Sequence, residues 1–99
     1  MFPSQSLLVL LDFARGRKSW GIEVFDAAID VLGYFGRAWL GQQQQIIAGG
    51  EEPNDQEVVI ALETLAASEG SDGHPVASVP PMVVSILLSW VLKQIVKNI

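Results

Sequence analysis

Few side chains in this sequence are able to do chemistry. His74 is the one histidine, set in the run GSDGHPVASV with Asp72 and Glu69 close by. One imidazole and two carboxylates can attract a cation, but a built metal site draws on more nitrogen or sulfur ligands at a defined spacing. A solvated loop histidine is the reading taken. Asp26 and Asp30 are spaced to share one helix face, and paired carboxylates can divide acid and base roles when their surroundings differ. Nothing else in the sequence converges on them. Nucleophile-elbow, phosphate-loop, dinucleotide, EF-hand and zincin patterns are all missing. The chain has no cysteine, which removes disulfides, thiolate nucleophiles and cysteine-ligated zinc. The expectation is a non-enzymatic protein with no cofactor, no metal and no identified small-molecule substrate.

Charge is sparse and arranged in blocks. Charged residues make up 17% of the 99, against 49% hydrophobic, where an ordinary soluble domain carries about 25% charge. The formal net charge of −5 argues against nucleic acid, whose phosphates need a basic surface. So apolar a composition also excludes intrinsic disorder. Between residues 38 and 92 every charged side chain is an acid; Arg15, Arg17 and Lys18 precede that stretch, and Lys93 and Lys97 follow it. Such blocks point either to complementary pairing within or between chains, or to a plain solvated acidic face from Glu51 to Asp72. The basic cluster at 15–18 follows the apolar run Leu7–Leu11 rather than preceding it, so a secretory signal is not expected. The most apolar stretch, Pro80–Leu92, is too short to span a bilayer. A cytoplasmic location, or one within an assembly, is the default expectation.

The elements that must carry these residues read as helices. No long run alternates with period two, and cap and periodicity signals mark about four helical segments, approximately 4–15, 20–47, 55–69 and 80–98. Ser4 or Ser6 offers a hydroxyl to the first helix, and Gly16 stands just past its end. In the second, Glu23, Asp26, Asp30, Gly33, Arg37, Gly41 and Gln44 form a polar stripe, and Ile22, Phe25, Ile29, Leu32, Phe35, Trp39 and Leu40 cover the remaining faces. Gly33, Gly36 and Gly41 imply either a bend or break in this helix, or the close approach of a neighbour. Gln42–Gln45 continues its surface. Asn54 and Glu57 carry an N-x-x-E capping signature, and Val58, Ala61, Leu62 and Leu65 make the core stripe of the third helix. The fourth shows a narrow polar stripe, Ser85, Ser89, Lys93 and Lys97, opposite a broad apolar arc.

The fold class expected is therefore all-α: a small bundle of about four helices forming one domain over 1–99. The first and last helices carry wider apolar arcs than a short bundle is expected to cover, and uncovered apolar surface marks interaction sites. The residues expected at an interface are Trp90, Leu87, Leu88, Val91 and Ile95 on the last helix, with Leu7, Leu8 and Leu11 on the first. Trp90 falls beside the centre of its arc, at the core edge or at a contact. The expected role is a structural or interaction subunit that meets protein partners or copies of itself. The alternative is a membrane-associated protein that sets its terminal helices, flanked by cations and tryptophan, at the bilayer interface.

Overall fold

The computed structural model describes residues 2–49, 52–68 and 81–99, with the side chains of 37–49, 68 and 81 outside the description. Four helices are present and no strand occurs among the described residues: α1 (Ser4–Ala14), α2 (Ile22–Gly49), α3 (Asp55–Ser68) and α4 (Pro81–Lys97). The protein is a small all-α four-helix bundle. Its principal pairings are α1 with α2 and α3, and α4 with α2 and α3. The helices thus stand in a ring, with α1 diagonal to α4 and α2 diagonal to α3.

Local chemistry accounts for most of the boundaries. Gly16 takes φ +79°, a left-handed conformation that costs glycine little and a Cβ-bearing residue more. Its N–H donates to the Phe13 carbonyl at 3.0 Å and that of Arg17 to the Asp12 carbonyl at 2.8 Å, the paired bonds of a Schellman ending. At the start of α3 the Glu57 N–H donates to Asn54 Oδ1 at 2.8 Å, as the capping signature predicts. The serine cap of α1 does not form. Pro3 occupies the cap position without a side-chain bond, and Ser6 instead donates its hydroxyl to Asp30 Oδ2 at 2.7 Å, joining α1 to α2. At the α2 glycines the structure shows neither a break nor, at Gly33 and Gly36, the close approach of a neighbour. The helix runs unbroken to Gly49, and a Cβ added at Gly33 or Gly36 would meet nothing within 4 Å.

The core is built from one face of each helix: Leu7, Leu10 and Leu11; Val24, Ala27, Ala28, Val31 and Phe35; Val58, Leu62 and Leu65; Val84, Leu87, Leu88, Trp90 and Val91. The third-helix stripe matches expectation. On α2 Val24, Ala27, Ala28, Val31 and Phe35 point inward, while Ile22, Phe25 and Ile29 stay on the surface. The polar stripe of α4 is only half polar in its surroundings, because Ser85 and Ser89 are buried. Bundle formation also covers the terminal helices better than their composition implies, since Leu7, Leu87, Leu88 and Val91 lose all exposure.

Adjacent helices run antiparallel. Phe2 meets Tyr34 and Phe35 edge-on, at 5.8 and 6.1 Å between ring centroids, whereas Phe13 meets Trp20 at 5.7 Å. The start of α1 therefore lies beside the middle of α2, and its end beside the start of α2. Glu52 takes hydrogen bonds from Gln94 and Lys97, bringing the start of α3 to the end of α4. One end of the bundle thus gathers the last turn of α1, the first turns of α2 and α3, and the last turns of α4.

Candidate functional site

Two features at that end could act on another molecule. The first is a cleft of about 590 Å³ lined by Phe13, Ala14 and Gly16 from the end of α1, by Glu52–Asp55 before and at the start of α3, and by Trp90, Gln94 and Lys97 of α4. Its polar groups are largely committed to one another. Lys97 Nζ lies 2.5 Å from Glu52 Oε1 and 2.7 Å from Oε2, and Gln94 donates to Oε1 at 2.9 Å. Asn54 is occupied by its cap. None of the described lining side chains is a histidine, cysteine, serine or threonine, so the described residues of the cleft offer carboxylates and an ammonium but no paired nucleophile and base. What this network does is fasten α3 to α4.

The second feature is the outer flank of α2. Ile22, Phe25 and Ile29 are spaced to form one row along a helix of about 3.6 residues per turn, and they are 81%, 38% and 46% exposed. Glu23, Asp30 and Tyr34 lie on the flank of α2 turned toward α1 and its loop, as shown by Lys18–Glu23 (2.7 Å), Ser6–Asp30 and Phe2–Tyr34. At about 100° per residue, the apolar row falls on the other side, toward α4. There Val96 is exposed too, on the flank of α4 opposite the Gln94 and Lys97 that reach Glu52. The base of the row is anchored by rings. Phe25 lies 6.3 Å from Trp20, Trp20 packs on Phe13, and Phe13 lies 5.8 Å from Trp90. On the side of the row nearer α1, Asp26 comes first, with Asp30 and Glu23 beyond it. Glu23 is paired with Lys18, whose pKa is raised above 10.5 by that hydrogen bond and by the carboxylate's charge. Asp30 accepts from Ser6. Asp26 is exposed and has no polar partner among the described residues.

The residues expected at an interface divide unevenly. Leu7, Leu11, Leu87, Leu88, Trp90 and Val91 are core residues, with Trp90 only 3% exposed and closed off by Phe13. Ile95 is half-buried against the core. Only Leu8 stands out, 48% exposed. The surface that sequence reasoning missed is the α2 row, although its spacing was visible. Asp26 and Asp30 do share a surface, but Asp30 is engaged with Ser6 and nothing reactive faces them. Of the basic cluster, Arg15 pairs with Glu63 at 2.5 Å and Lys18 with Glu23. With Lys97–Glu52, two of these three pairs tie a basic end of the chain to its acidic middle. Glu52, Asp55, Glu57 and Glu63 are exposed, as an acidic solvated side requires. His74, Asp72, Glu69, Glu51 and the loop around them lie outside the described residues, as do the side chains of Trp39, Leu40 and Gln42–Gln45. Among the described residues no group of acidic, histidine or cysteine side chains is arranged to hold a metal ion. No described helix is long and apolar enough to cross a membrane. No family model, curated protein or solved structure matches the chain.

Proposed function

We propose that this chain is a non-enzymatic helical interaction subunit that docks on another protein chain through the outer flank of α2. The observation that carries the reading is the row Ile22, Phe25 and Ile29, left exposed beside a core that is already filled without it. Such a row on a regular helix has the spacing of anchors in helix-mediated recognition, and its continuation toward Val96 on α4 enlarges the apolar surface a partner can cover. The terminal helices spend their apolar faces on the core, which favours a protein partner over a bilayer for the remaining surface.

The test compares the wild-type chain with an Ile22→Glu/Ile29→Glu double variant. Circular dichroism checks that both fold, since neither side chain is buried. Light scattering gives the oligomeric state, and mass spectrometry identifies chains co-purifying from the native source. Expected is a wild-type protein found in company, either its own or that of another chain, and a variant that is solitary. A wild-type chain that stays a dispersed monomer at micromolar concentration and brings no chain with it overturns the reading.

A further inference from the structure

Charge along the α2 row narrows the class of partner, an inference that rests on the docking surface just described. Asp26 lies beside Ile22 on one edge of the row, with Asp30 and Glu23 beyond it on the side turned toward α1. Asp26, in the middle, is exposed and without a polar partner among the described residues, and the whole chain carries a formal charge of −5. A second copy docked antiparallel across a two-fold axis would lay this edge against itself, because such an interface brings the same patch from both subunits together. Asp26 would then face Asp26, with Asp30 close by, while water is being excluded, and like-charge juxtaposition of that kind is costly. An anionic lipid surface meets the same repulsion. We infer that the occupant is an amphipathic helix of a different chain, whose apolar stripe covers Ile22, Phe25 and Ile29 and whose flank presents lysine or arginine to Asp26 and its neighbours. The apolar row supplies contact area, and the acidic edge supplies orientation and selectivity.

Two synthetic helical peptides test this, sharing one leucine stripe but flanked by lysine in one and by glutamate in the other. Each is titrated calorimetrically into the full chain at low and at high salt. The lysine-flanked peptide is expected to bind, to weaken as salt rises, and to lose roughly tenfold in affinity on Asp26→Lys. The Asp26→Lys variant is expected to gain affinity for the glutamate-flanked peptide. Ile22→Gln/Ile29→Gln is expected to abolish binding of both without loss of helicity. The inference is overturned if neither peptide binds, if both bind alike, or if binding ignores the isoleucine changes. It is also overturned if light scattering shows self-association lost in Ile22→Gln/Ile29→Gln, or if flotation shows the chain on phosphatidylcholine vesicles. Self-association through these residues would leave the protein-docking reading standing and remove only the basic partner; a chain that binds neither peptide, itself nor any co-purifying protein removes both.

Discussion

Replacing Ser89 with alanine is predicted to stabilise the bundle. Ser89 is 5% exposed, and its Oγ is buried with no hydrogen-bond partner among the described residues. A hydroxyl taken out of water without a new partner costs about 1–3 kcal/mol. Ser89 also lies in the interior of α4, where alanine is better than serine by about 0.5 kcal/mol. Against these gains stands the void left by one oxygen, a few tenths of a kcal/mol at about 24 cal/mol per Å³. The balance is a gain of roughly 1–3 kcal/mol. For a chain of 99 residues, each kcal/mol moves Tm by about 4–8 °C, so a rise of roughly 5–25 °C is expected. Thermal and urea unfolding followed by circular dichroism measure it, and an unchanged urea slope shows that the change is one of stability alone. Ser85, one turn earlier and 4% exposed, supplies the control, because its side chain does have an interaction partner; Ser85→Ala is expected to fall below Ser89→Ala in Tm. A Ser89→Ala protein that melts at or below the wild-type temperature would refute the reasoning, because the hydroxyl would then be contributing a bond.

Three further outcomes follow from the same geometry. Leu62→Ala is expected to cost about 2–5 kcal/mol, as for other fully buried leucines, whereas Leu8→Ala on the exposed side of α1 costs less than about 1 kcal/mol; urea midpoints distinguish them. Gly16→Ala is expected to cost about 1–2 kcal/mol through its backbone alone, since φ is +79° and no atom within 4 Å would obstruct the new Cβ, and thermal melts of the two proteins measure the difference. The Lys18–Glu23 pair raises the lysine's pKa above 10.5, so its small contribution to stability is complete below that pH and is lost as pH rises through the folded value. A Lys18→Met variant should therefore differ from wild type at pH 8 and converge with it in strongly alkaline solution, as read by urea unfolding at each pH.

The helices were legible in the sequence because their signals are local. Gly16, Asn54 and Glu57 act through backbone groups a few residues away, and the stripe of α3 is narrow enough to have a single inward side. The serine cap failed because the Ser6 hydroxyl found Asp30, twenty-four residues away, a competitor that no local pattern contains. Which of the apolar faces of α2 turns inward was not legible for a related reason. Apolar residues occupy so much of that helix's circumference that its periodicity admits more than one inward side, and the choice was made by where α1 and α4 pack. Ser85 and Ser89 repeat at the spacing of Lys93 and Lys97, yet they lie further from the helix end, between neighbours that cover them.

Packing explains why Ile22, Phe25 and Ile29 are left outside in the first turns of α2, while Phe35 further along is buried. Val24, Ala27, Ala28 and Val31 face the core, and small side chains at a contact allow neighbouring helices to approach more closely. Isoleucine or phenylalanine at those positions would overfill a core whose other leucines and valines already have no exposure. The cost of the arrangement is apolar burial not realised in the isolated chain. Full burial of such a side chain is worth about 1.5–3 kcal/mol; at their observed exposures, Ile22, Phe25 and Ile29 together forgo on the order of 3–5 kcal/mol. That is a substantial share of the roughly 5–15 kcal/mol that holds a domain folded, and the fold gains no compensating contact at Ile22. A chain that needed these positions only for its own stability would be served as well by glutamine or lysine, which extend the same helix at little cost in propensity. Under the proposed docking, a second surface covers these large apolar groups, and Asp26 beside them favours one that brings positive charge.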